Sequence, residues 1–64
     1  MTQKELLYLE DAIGHESNII LICKEMINYL EDEELKTFID EELTKHVNMK
    51  DELINMLEVK SNEW

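Results

Sequence analysis

Three features of this sequence predict an all-α fold: one antiparallel two-helix hairpin that dimerises into a four-helix bundle. First, the 64 residues include no proline and one glycine, so the usual breakers of helices are nearly absent. Second, apolar residues recur at alternating steps of three and four over two long segments. Third, these segments carry more apolar surface than one pair of helices can cover.

The first helix is expected over about residues 3–30. Leu6, Leu9, Ile13, Glu16, Ile20, Cys23, Ile27 and Leu30 draw one seam along it, apolar everywhere except Glu16. Thr2 followed three residues later by Glu5 has the pattern of a capping box, in which each residue satisfies a backbone N–H of the other. A turn over about 31–33 follows, where Asp32 serves as N-cap and Glu33 and Glu34 sit on the positive end of the next helix dipole.

The second helix is expected over about 34–59. Its seam reads Leu35, Ile39, Glu42, His46, Met49, Leu53 and Met56, with Phe38, Leu43, Val47, Ile54 and Leu57 widening the apolar face. Residues 60–64 form a frayed tail in this reading, with Trp64 at its end.

All of this is one domain, residues 1–64. A chain of this size buries only about 60% of the surface its unfolded form exposes, and a single Cys23 offers no internal disulfide to compensate. Ile19 to Cys23 are five consecutive apolar residues and point all round the helix. A second hairpin related by a two-fold axis supplies the missing cover. The residues expected to form the core and the dimer interface are Leu6, Leu9, Ile13, Ile20, Cys23, Ile27, Leu30, Phe38, Ile39, Met49, Leu53 and Met56. A higher even assembly satisfies the same requirement.

Charge narrows the partners. Sixteen acidic residues against six lysines leave a net charge of −10, which argues against contacts with nucleic-acid phosphates or an anionic membrane surface. It favours metal cations or a basic protein. The five-residue apolar run is far short of the roughly 20 residues that span a bilayer, and the N-terminal segment has no uninterrupted apolar stretch of a secretion signal. A cytoplasmic location is therefore expected. The hydrophobic fraction of 44% separates the chain from disordered acidic tails.

Chemistry, if the chain has any, sits where polar residues interrupt the seams. Glu16 lies sixteen residues before Asp32 and His46 fourteen after it, so the hairpin brings them to one level, with Glu42 one helical turn from His46. Duplicated by a two-fold axis, this set gives four carboxylates and two imidazoles. Carboxylate and imidazole donors suit iron, manganese or zinc, and helical bundles hold paired metals with such sets. The competing reading is a buried ion-paired layer that fixes helix register, with Lys50 supplying a cation to Glu16 or Glu42. A third is that the set is simply part-exposed.

His15 joins Tyr8, Ile22 and Tyr29 in a secondary stripe at seven-residue intervals, which reads as bundle packing. Met26, Met49 and Met56 read as fillers, and Cys23 as a small buried hydrophobe with no base placed beside it. Glu33, Glu34, Asp40, Glu41, Asp51 and Glu52 form a solvated acidic face, able to dock a basic partner. No phosphate loop, Ser-His-Asp set or cysteine zinc pattern is present.

The phrases MTQKELLYLEDAIGHE, DEELKTFIDEELTKH and DELINML resemble the short ferritin-like proteins of clostridia labelled spore coat proteins and related to the coat F family. The likeness runs over residues 1 to about 58. It implies a ferritin-like bundle made of two hairpins and a role in the spore coat or with other sporulation proteins. The family's second histidine, three residues beyond the Lys45-His46 phrase, is Met49 here.

Three functions follow as expectations. The first is a non-enzymatic structural or assembly protein with no cofactor, spore-coat-associated and homodimeric. The second is a half-ferritin metal protein or iron oxidase with a dimer-shared site of Glu16, Glu42 and His46. The third is a small acidic hairpin regulator that binds a protein partner.

Overall fold

A computed structural model describes residues 1–62 of the chain. Among these residues the architecture is two long antiparallel helices packed on each other, α1 (Gln3–Tyr29) and α2 (Glu33–Ser61), with no strand. The chain is elongated: its radius of gyration is 14.8 Å, against about 11 Å for a compact domain of this length.

Both helix starts are capped as the sequence predicts. The Thr2 hydroxyl accepts from the Glu5 amide at 3.1 Å while the Thr2 amide donates to Glu5 Oε1 at 2.8 Å, so the capping box is complete. The Asp32 carboxylate accepts from the Leu35 amide at 2.9 Å, and Glu33 and Glu34 occupy the first turn of α2.

The link between the helices is residues 30–32. Leu30 adopts an extended conformation (φ −75°, ψ 136°), which breaks the helix without any positive φ and so without a glycine. Its amide still donates to the Met26 carbonyl at 3.0 Å. At the far end α2 continues through Lys60 to Ser61, longer than the expected stop near 59. Lys60 in the last turn complements the negative end of the helix dipole there. Trp64 lies outside the described residues.

The seam of α1 packs as expected. Glu16 and Cys23 are buried, and Leu6, Leu9, Ile13, Ile20, Ile27 and Leu30 are half-buried along the same line. On α2 the structure corrects the expected seam. The residues turned to α1 are Lys36, Ile39, Leu43, His46, Lys50, Leu53 and Leu57, of which Ile39 is buried and the others half-buried. Phe38, Met49 and Met56, expected in the core or interface, are exposed in the single hairpin at 54%, 46% and 50%. They belong to a second stripe, one residue earlier in the chain at each step.

The same offset holds on α1. Tyr8, Ala12, His15, Ile19, Ile22 and Met26 each precede a seam residue by one position, as do Phe38, Glu42, Lys45, Met49, Glu52 and Met56 on α2. One residue back is a rotation of about 100° about the helix axis. Because α2 runs against α1, these rotations have opposite senses when viewed from one end, and both stripes turn to the same side of the hairpin. Tyr8 and Ala12 of α1 accordingly line one groove with Met56 of α2. The opposite side carries Glu10, Lys24 and Asn28 on α1 and Asp40, Asp51 and Glu58 on α2, all exposed.

Candidate functional site

Two features of this hairpin can carry function: the polar layer at its middle and the apolar face beside it. The layer begins at Glu16, which is only 9% exposed although it bears a carboxylate. The helical seam places it there, between Ile13 and Ile20, and the antiparallel pairing brings His46 opposite. His46 Nδ1 lies 2.5 Å from Glu16 Oε2, so the carboxylate has a hydrogen-bonded partner where burial demands one.

The imidazole is held on both sides. Its Nε2 faces Glu42 Oε2 at 3.8 Å, four residues back on the same helix face. The other oxygen of Glu42 takes the Lys45 ammonium at 3.3 Å. The result is a chain of alternating acid and base, Glu16, His46, Glu42, Lys45, running from the buried seam to the surface. Each carboxylate in the chain faces a nitrogen group, and no buried side-chain nitrogen or oxygen among the described residues lacks a hydrogen-bond partner.

The geometry therefore joins Glu16, Glu42 and His46 as the sequence reading expects, but through the imidazole. A metal-bound histidine turns one nitrogen to the ion and the other to a supporting group. Here Nδ1 is turned to the Glu16 carboxylate, and Nε2 lies 3.8 Å from an oxygen of Glu42. Among the described residues no group of three or more His, Cys, Asp or Glu side chains has the geometry to hold a metal ion.

Lys50 does not play the part expected of it. It is half-buried on the facing side of α2, yet it forms no ion pair with Glu16 or Glu42. Lys45 takes that role, a residue the seam analysis passed over. The i, i+3 spacing of Glu42 and Lys45 was the available signal.

Beside the layer lies the open face. Among the described residues only Cys23 and Ile39 are buried hydrophobic side chains, and none is completely enclosed. Tyr8 is 64% exposed and Tyr29 85%, with Ile22, Met26 and Phe38 on the same side. Leu7, Leu21 and Val47 are exposed elsewhere as single residues, which is ordinary for a protein surface. Apart from Lys4 near the Tyr8 ring at 6.0 Å, the face is bordered by few cations. Among the described residues no helix is long and apolar enough to cross a membrane.

The sequence matches no known protein-family model, and comparisons with curated proteins and with solved structures give no match either.

Proposed function

We propose that the protein is a non-enzymatic structural subunit: a hairpin that pairs with a second copy into a ferritin-like four-helix bundle and serves as a building block of a larger assembly, the spore coat being the first candidate. The observation that carries the proposal is the mismatch between core and apolar surface. Two buried hydrophobic side chains do not hold a domain together, and large aromatic and aliphatic groups lie open along one side. The chain exposes 5054 Å², against about 4,300 Å² for a compact protein of its mass. The self-satisfied polar layer favours a structural over a catalytic use of Glu16 and His46.

Sedimentation equilibrium at micromolar concentration tests the core of this proposal. The expected species has twice the 7.7 kDa chain mass, with a thermal midpoint that rises with protein concentration. A folded species of 7.7 kDa with a concentration-independent midpoint would remove it. The coat role is tested separately, by following the protein with an antibody through fractionation of spores. Recovery with the coat is expected, and recovery only with the soluble core contents would count against it.

A further inference from the structure

The apolar face contains its own instruction for how two copies meet. The α1 stripe, from Tyr8 to Tyr29, has its centre between Asn18 and Ile19. On α2 the acid–base pair of the stripe, Glu42 and Lys45, has its centre between Leu43 and Thr44. The pairing of Glu16 with His46 sets the register of the hairpin, and in that register the two centres fall at one level. A two-fold axis through that level and perpendicular to the helices lays each stripe on a reversed copy of itself.

We infer that two copies pair in this way, face to face with their turns at opposite ends, so that Glu42 of each copy meets Lys45 of the other at the middle of the interface. The inference rests on the dimer proposed above and specifies its geometry. Under this axis Tyr8 comes opposite Tyr29, small Ala12 opposite bulky Met26, and Phe38 opposite Met49. The only acid and the only base in the central part of the α2 stripe come opposite each other. Glu42 is part-buried and Lys45 is 70% exposed, its ammonium directed along this face toward Glu42. A second copy extends the pair into a four-membered ring of alternating charge.

The competing two-fold axis runs parallel to the helices, with both turns at one end. It sets α1 of one copy on α2 of the other at equal levels, which presses Glu42 against Ile19 and Ile22 and leaves both charges unmatched across the interface. Glu42 and Lys45 then keep only their partners within the chain while apolar groups of the other copy displace their water, so the charge pattern favours the perpendicular axis. Size is adequate as well. The face is about 30 Å long and two helices wide, roughly 600 Å² on each copy, which reaches the lower end of specific interfaces.

The test is a mixing experiment. Glu42→Lys and Lys45→Glu are made as separate single variants, each of which places like charges opposite each other in its own homodimer. Mixed, with one of them isotopically labelled, they restore opposite charges at both crossings. Native mass spectrometry is expected to show heterodimer at no less than about threefold its statistical ratio to homodimers. A statistical mixture of the two variants overturns the inference.

A second measurement leaves the face untouched. Spin labels are attached at Glu31→Cys, in the exposed turn, with Cys23→Ala removing the native thiol. Pulsed electron paramagnetic resonance is expected to give a separation of about 37 Å between turns at opposite ends. A separation below about 20 Å overturns this geometry and leaves the dimer standing. Absence of any dipolar coupling, with a monomer in sedimentation, overturns the dimer as well.

Discussion

His46 is the residue on which the middle of the hairpin depends, because it satisfies a buried carboxylate on another helix. Replacing it by alanine removes the hydrogen-bond partner of Glu16, which is only 9% exposed. His46→Ala is expected to lower stability by about 2–3 kcal/mol in urea unfolding. Replacing both partners by leucine is expected to recover most of that loss, since two apolar groups of similar volume need no partner. A stable His46→Ala variant would show that water reaches Glu16 and that the layer is not sealed. Glu16 and His46 were legible in the sequence because counting outward from a capped turn fixes the level of each. Lys45 was not, because its place in the layer depends on side-chain reach along α2 and not on which face it occupies. Lys50 misled for the opposite reason. It lies on the right face, and a lysine there lays its methylene stem along apolar neighbours without pairing its ammonium.

At the scale of the element, the two helices differ in how plainly their sequences show which side is inside. On α1 one continuous seam takes both buried positions and most of the half-buried ones, and Thr2 marks its start. The Glu5 carboxylate in that cap is held below its ordinary range, chiefly by the backbone N–H of Thr2 and then by the Thr2 side chain. A carboxylate with a lowered folded-state pKa contributes stability above its unfolded value, near 4.5, and loses it as pH falls through the folded value. The stability difference between wild type and Glu5→Ala is therefore expected to be constant near neutral pH and to shrink below about pH 4.5, as read from thermal melts across a pH series. A difference that grows on acidification would contradict the cap. On α2 two stripes one residue apart both carry large apolar groups, and two lysines stand in the stripe that faces α1. Periodicity alone could not separate Met49 and Met56 from Leu43 and Leu57. The α1 partner decides, because it can cover only one of the stripes.

For the whole molecule, charge and shape act against each other. In the proposed dimer a net charge of −10 on each chain is brought together, against the two Glu42–Lys45 crossings inferred for its interface. The repulsion between the two totals outweighs two part-exposed pairs at low ionic strength, where the screening length reaches about 30 Å at 0.01 M, the width of the bundle or more. Raising salt to about 0.2 M is expected to tighten the dimer several-fold, measured as a falling dissociation constant in sedimentation. Weaker association at higher salt would mean that the charges between copies are mainly attractive. Two antiparallel helices were legible from the missing prolines and the two capped starts. The separation of the molecule into an acidic side and an apolar side was not, because it exists only once the direction of α2 relative to α1 is fixed.

The burial of Cys23 gives the molecule a built-in clock. The only thiol of the chain lies 6% exposed against α2, and a reagent reaches it only when the two helices part. Its modification rate in the unaltered protein therefore reports how often the hairpin opens, one event at a time, without a probe having to be introduced.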